Sequence, residues 1–224
     1  MTSSRTEILA RIRRAQQRAF LPDVTGVTPP PPEPPPFDRP LDVVFEEALA
    51  AVQGVLHRCV TADETADLIA DVCRRQGQNQ VLGWTPAALP LPGLDEALEA
   101  RGIALIDSRL EGDRQQGLEE LRPLLVGVTG AAAGLARTGS IVLHADRQQG
   151  RLASLIPDIH IALLPAKRLY ADIAAWIATD EAAQAIAASS NTVVITGASR
   201  TADIAQTLTL GAHGPRELHV ILLS

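Results

Sequence analysis

Cysteine and aromatic residues are scarce in this chain, which has two Cys, two Trp, one Tyr and three Phe among 224 residues. Cys59 and Cys73 cannot make the disulfide framework of a small secreted domain, so a reducing compartment is the default. They also fall short of the four ligands, mostly thiolates, that an iron–sulfur cluster generally takes. No HExxH or His-x-His pair points to zinc. With aromatics at 3%, the packing falls to Ala, Leu, Ile and Val. No apolar run approaches the ~18 residues of a membrane span, and the Arg-rich start lacks the apolar stretch of a secretory signal. The expectation is a soluble, cytoplasmic protein without a membrane partner. A basic face is missing too: the net charge is −6, with +2 over residues 1–37, −9 over 38–120 and +1 over 121–224. Nucleic acid is therefore not expected as a partner.

What is present is a chain 46% apolar and 21% charged, the composition of an ordinary folded domain. Ser4-x-x-Glu7 reads as a capping box, followed by Ile8, Ile12, Ala15 and Ala19 on one helical face. Nine of the sixteen prolines then fall between Pro22 and Pro40, a semi-rigid extended connector. Residues 1–40 are thus expected to form a helical arm, whose apolar stripe needs a surface on its own domain or on a second copy of the chain. Residues 41–224 form the main domain. There the pattern predicts helices near 41–53, 62–75, 94–101, 115–121, 168–177, 180–188 and 200–208, with Thr61 capping the second and Asp180 at the start of the sixth. Strands are expected at 80–84, 103–107, 124–128, 140–145, 159–164, 192–196 and 218–223. Several are unbroken runs of Val, Ile and Leu, as in strands buried on both faces. The fold class that follows is α/β, a largely parallel sheet with helices on both faces.

Open α/β sheets bind ligands at the carboxyl ends of their strands, which directs attention to three stretches rich in Gly, Ser and Thr. The first is Gly127-Val-Thr129-Gly130 with Thr138-Gly139-Ser140, where glycines admit a ligand to the backbone and hydroxyls can bind its oxygens. A plainer account is a pair of turns around a short Ala-rich helix. The second is Thr196-Gly197-Ala-Ser199-Arg200-Thr201-Ala-Asp203, in which a helix amino terminus and Arg200 would make an anion pocket. Here the plainer account is a Ser199 cap and an Arg200–Asp203 surface pair. Its resemblance to the GxSxG elbow fails at the branched Thr201. The third is Gly211-Ala-His213-Gly214-Pro215-Arg216-Glu217, whose His213 and Glu217 are the candidates for proton transfer. Arg151 and Ser154 could face the same cleft; His160, inside an apolar run, reads either as a ligand or as a hydrogen-bonded core histidine.

The ordered runs GVTGAAAGLARTGSIVL, GRLASLIPDIHIALLP and ITGASRTADIAQTLTLGAHGPRELHVILL resemble the LUD domain of the lactate-utilisation protein C family (LutC, also YkgG), densely over 124–224 and by element order over 41–123. The resemblance covers Thr129, Gly130, Thr138, Gly139 and Ser140, then Arg151, Ser154, Pro157 and His160. It continues through Gly197, Ser199, Arg200, Thr201 and Asp203 to Gly211, His213, Gly214, Pro215 and Glu217. One departure stands in the first run: Ala132, Ala133 and Arg137 occupy positions where relatives commonly carry an acid, an aromatic and an acid, which makes that cleft more welcoming to anions.

What the resemblance implies is an α/β fold similar to the ribose-phosphate isomerase, glucosamine-phosphate deaminase and CoA-transferase superfamily (NagB/RpiA/CoA-transferase-like). It further implies a part in oxidising L-lactate to pyruvate beside two iron–sulfur partner proteins. The expected site then has Arg200 neutralising a small anionic metabolite or cofactor, Ser199, Thr201, Thr138 and Ser140 supporting it, and His213 or Glu217 handling a proton. The sequence names no cofactor. Two rivals stand beside this expectation: an isomerase- or transferase-like enzyme acting alone on a phosphosugar or CoA ester, and a ligand-sensing assembly subunit.

Overall fold

A computed structural model of the chain describes residues 4–18, 35–110, 112–202, 208–210 and 214–224, with the side chains of 16–18, 200–202 and 208–210 excepted. Two units are separated by their internal contacts, Met1–Pro35 and Pro36–Ser224. In the first, helix α1 (Ser4–Arg18) carries Glu7 in its opening turn, and Ile8, Leu9 and Ile12 are exposed. Ala19 and most of the proline-rich connector lie outside the described residues.

The second unit begins with α2 (Leu41–Ala51), β1 (Gly54–Cys59), α3 (Ala62–Arg75), β2 (Gln80–Gly83), α4 (Leu94–Glu99), β3 (Ala104–Asp107) and α5 (Arg114–Leu121). It continues with β4 (Val126–Gly130), β5 (Ala133–Leu135), β6 (Ser140–Ala145), β7 (Ile159–Pro165), β8 (Leu169–Tyr170), α6 (Ile173–Ile177) and α7 (Asp180–Ala188). The last elements are β9 (Asn191–Ile195), β10 (Arg200–Ala202), β11 (Leu208–Leu210) and β12 (Glu217–Leu223). Helix starts follow local chemistry. At α3 the Thr61 hydroxyl accepts from the Glu64 amide at 3.2 Å while Glu64 reaches back to the amides of Val60 and Thr61, a complete capping box. The side chains of Asp113, Asp172 and Thr179 accept first-turn amides and so cap α5, α6 and α7.

Six parallel strands, in the order β1-β12-β7-β4-β2-β3, form the main sheet. Every residue of β4 is buried, as are all but the last of β7 and all but the first of β12. That is why these strands read as unbroken apolar runs: both of their faces are covered. One side of α3 (Ala66, Ile69, Ala70, Val72 and Cys73) is buried in the resulting core.

The structure departs from expectation in four places. Residues 131–137 form no Ala-rich helix; β5 pairs antiparallel with β6 and parallel with β8, and its three residues are all buried. Pairing and burial override the helix propensity of alanine there. A second sheet results, β8-β5-β6-β9, with a small core of Ala133, Leu135, Val142, Trp176 and Ala182 against α6 and α7. The expected helix at 168–177 is consequently shortened to α6, because Leu169–Tyr170 is taken up as β8. Where a helix was expected at 200–208, the described residues are strand: β10 pairs antiparallel with β11, Arg200 facing Leu210 and Thr201 facing Thr209. Leu208 and Leu210 alternate with Thr209, the period of a strand. Strand β1, not foreseen, forms an edge of the main sheet beside β12.

Candidate functional site

A cavity of about 400 Å³ lies between the two sheets. Strands β6 and β9 supply an apolar wall that includes Leu143, Val193 and Ile195. Across from it stand Leu218, second residue of β12, and His160, second residue of β7. The cavity therefore opens at the amino ends of the central strands, not at the carboxyl ends where the general rule for open sheets directs the search. The reason is the second sheet, which closes over one face of the first and leaves a crevice along its amino-terminal rim.

Two backbone features build the mouth. Gly127 in β4 faces His160 across the ladder, and a Cβ there would overlap the carbonyl oxygen of Ala153 and press on Pro157. Its bareness lets the short 3-10 turn Arg151–Ser154 lie on the sheet, where Ser154 Oγ donates to the Arg151 carbonyl at 3.0 Å. Gly197, at φ 76°, packs against the Val52 carbonyl where a side chain would collide, so the chain after β9 turns inward. The Ser199 amide then donates to the Pro215 carbonyl at 2.8 Å, fastening the second sequence motif to the third.

His160 is 1% exposed, and its Nε2 lies 2.8 Å from Thr129 Oγ1. Its Nδ1 is buried without any protein partner. Burial drives its pKa down to about 4, so the imidazole is neutral at pH 7. Around it the charge is of one sign. Among the described lining residues Arg151 carries the single full charge and no carboxylate is present, and Arg151 makes no ion pair with any described residue. A cavity of this sort is suited to a ligand with an apolar body and an anionic or hydrogen-bonding group.

The sequence candidates divide accordingly. Arg151, Ser154, His160, Gly197, Ser199 and Gly214 meet at this cavity. Thr129 stands beneath it as the partner of His160. Thr138, Ser140 and Thr196 form a hydroxyl chain at 2.7 and 2.8 Å outside the lining, and Gly139 packs on the α2 backbone at Leu49. Gly130 opens into a different cavity. Glu217 accepts from His219 Nε2 at 3.4 Å, and His219 Nδ1 lies 2.9 Å from His57 Nε2. Strand alternation puts Glu217 and His219 on the sheet face opposite Leu218, away from the cavity. Arg137, expected to attract anions, instead pairs with Asp172 and stacks over Phe37. Asp203, Gly211 and His213, and the side chains of Arg200 and Thr201, lie outside the described residues.

Over residues 43–223 the chain matches the LUD domain family. It belongs to that family. A Lactate utilization protein C from Macrococcus caseolyticus is 29% identical over 157 residues, 69% of this chain and 66% of that protein. An uncharacterized Neisseria meningitidis protein is 34% identical over 97 residues, 43% of this chain and 41% of its own length. The aligned part thus spans about two fifths to two thirds of these relatives. A crystal structure of a DUF162 family protein from Deinococcus radiodurans superposes with a TM-score of 0.55 at 23% identity, covering 82% of this chain and 96% of that one. The fold is shared.

Within this LUD domain, sequence reasoning missed the apolar wall and His144. The wall was read only as strands, since nothing local tells which strand will face a cavity. His144 carried a usable signal, the same as His160: a histidine set in a continuous apolar strand. Among the described residues no three His, Cys, Asp or Glu side chains are gathered to hold a metal, and no helix is long and apolar enough to cross a membrane.

Proposed function

We propose that this LUD domain protein acts in lactate utilisation, binding a small anionic metabolite or cofactor in the cavity between its two sheets and working beside iron–sulfur proteins that carry the electrons. The observation that carries the reading is the charge of that cavity: one arginine with no ion pair among the described residues, no carboxylate among the described lining residues, and a buried neutral His160 whose Nδ1 has no hydrogen-bond partner there. Relatives named for lactate utilisation supply the process. The two cysteines support the division of labour, because both are buried on separate elements, β1 and α3, and burial pushes the Cys73 thiol up to about 11. Neither thiol is set up as a redox ligand.

In this reading Arg151 neutralises the ligand's carboxylate or phosphate, and Ser154 and Ser199 add hydrogen bonds. His160 fixes the remaining polar group, and the β6–β9 wall covers the apolar part. A charge-assisted hydrogen bond is worth roughly 1.5–3 kcal/mol, so Arg151→Ala should weaken binding at least about tenfold. The test is growth on L-lactate as sole carbon source in cells lacking the native copy and complemented with wild type, Arg151→Ala or His160→Gln. Growth restored by wild type and lost with folded variants supports the proposal; full growth with both variants removes it.

A further inference from the structure

The cavity between the sheets has a size and a polarity that together narrow its occupant. Its volume of about 400 Å³ gives room for about thirteen water-sized groups at about 30 Å³ each. A two- or three-carbon acid, with about six non-hydrogen atoms, fills less than half of that space, and a dinucleotide of about forty exceeds it threefold. The ligand that fits lies between those sizes.

Polarity falls from the rim inward. Arg151 and Leu155 line the cavity and are themselves exposed, so the one full charge of the described lining stays in contact with water. At the deep end Leu218 and His160 are buried, and the His160 Nε2 is hydrogen-bonded to Thr129 Oγ1. Between the two ends the wall is aliphatic. Leu143 of β6 and Val193 of β9 stand opposite each other in the antiparallel ladder, which puts their side chains on one face, and Ile195 follows two residues on. No Phe, Tyr or Trp is among the described lining residues, so a flat heteroaromatic ring finds no stacking partner there. A methylene chain needs none, because it gains from apolar surface evenly along its length.

We infer that this cavity takes a medium-chain aliphatic carboxylate of about eight to twelve carbons, its carboxylate held by Arg151 at the rim and its chain laid along the β6–β9 wall towards Leu218. The inference rests on the reading that the cavity binds an anion through Arg151, and it adds that the wall measures the anion's length. The free acid is the form that fits, since an ester or thioester of the same chain carries no charge for Arg151 at its carbonyl end.

The test is calorimetric titration of the full chain with L-lactate and with straight-chain carboxylates from acetate to tetradecanoate, each below its micelle-forming concentration. Affinity should rise about fourfold with each added methylene and stop rising between about eight and twelve carbons, where the cavity is full. Decanol, the same chain without the charge, should bind the wild type at least about tenfold more weakly than decanoate does, and Arg151→Ala should bring the two level. Val193→Phe adds about four carbons to the wall, so the break should move to chains about four methylenes shorter; Ile195→Ala should move it to longer ones. Affinity that does not grow with chain length while L-lactate still binds through Arg151 overturns the inference and leaves the anion site standing. A break that stays in place in both folded wall variants, or equal binding of decanoate and decanol by the wild type, overturns it as well. No binding by any carboxylate removes both the inference and the reading it rests on.

Discussion

Acidification from pH 7 to pH 4 is expected to cost the native state about 3 kcal/mol through His160 alone. The imidazole is 1% exposed, and burial holds its pKa at about 4 against an ordinary 6.5. Between those two values the unfolded chain binds a proton at this position and the folded chain does not. Stability is therefore complete above about pH 6.5, falls as the pH drops towards 4, and levels off below it. The gap, at about 1.4 kcal/mol per pH unit, gives the figure above. The assay is urea unfolding of wild type and His160→Gln at half-unit steps from pH 7.5 to 4. His57, His144 and His219 are also held below their ordinary values by burial, and they contribute to the acid slope of both proteins. The difference between the two proteins isolates His160 and should close by about 3 kcal/mol across the window. Parallel acid limbs would refute the claim that a neutral, buried imidazole lines the cavity.

Further substitutions probe the frame that positions the site. Gly127→Ala forces β4 and the Arg151–Ser154 turn apart, because the new methyl group meets the Ala153 carbonyl. It should cost about 2 kcal/mol in thermal unfolding and weaken ligand binding as well. Thr61→Ala breaks the capping box of α3 and should lower stability by about 1 kcal/mol with binding unchanged, as read from urea midpoints and titration.

The core of this fold was legible because its strands are buried on both faces. Residues 124–128, 159–164 and 218–223 read as strands from sequence alone, overlapping β4, β7 and β12, and Thr61 announced the start of α3. Residues 131–137 and 200–202 were misread as helix because alanine propensity and a capping serine are local signals, whereas β5 and β10 owe their form to partners elsewhere in the chain. Of the candidate residues, Arg151, Ser154, His160, Gly197 and Ser199 meet at one cavity. Glu217 does not join them, since strand alternation puts it on the other face, and the parity of a residue within a strand cannot be read before the strand's register is known. The position of the cavity was unforeseeable for a related reason. It depends on a second sheet that the sequence pattern did not disclose.

The central claim, that the cavity between the sheets binds a small anion, is tested most directly by thermal unfolding of the purified protein with L-lactate, pyruvate, nicotinamide and flavin nucleotides, CoA and phosphosugars. Binding to the folded state adds RT ln(1 + [L]/Kd), about 2.7 kcal/mol at a hundredfold excess over Kd. The account predicts that at least one of these anions raises the melting temperature of the wild type and fails to raise that of Arg151→Ala and His160→Gln. Stabilisation that is unchanged in both variants, or none from any of the anions, would contradict it.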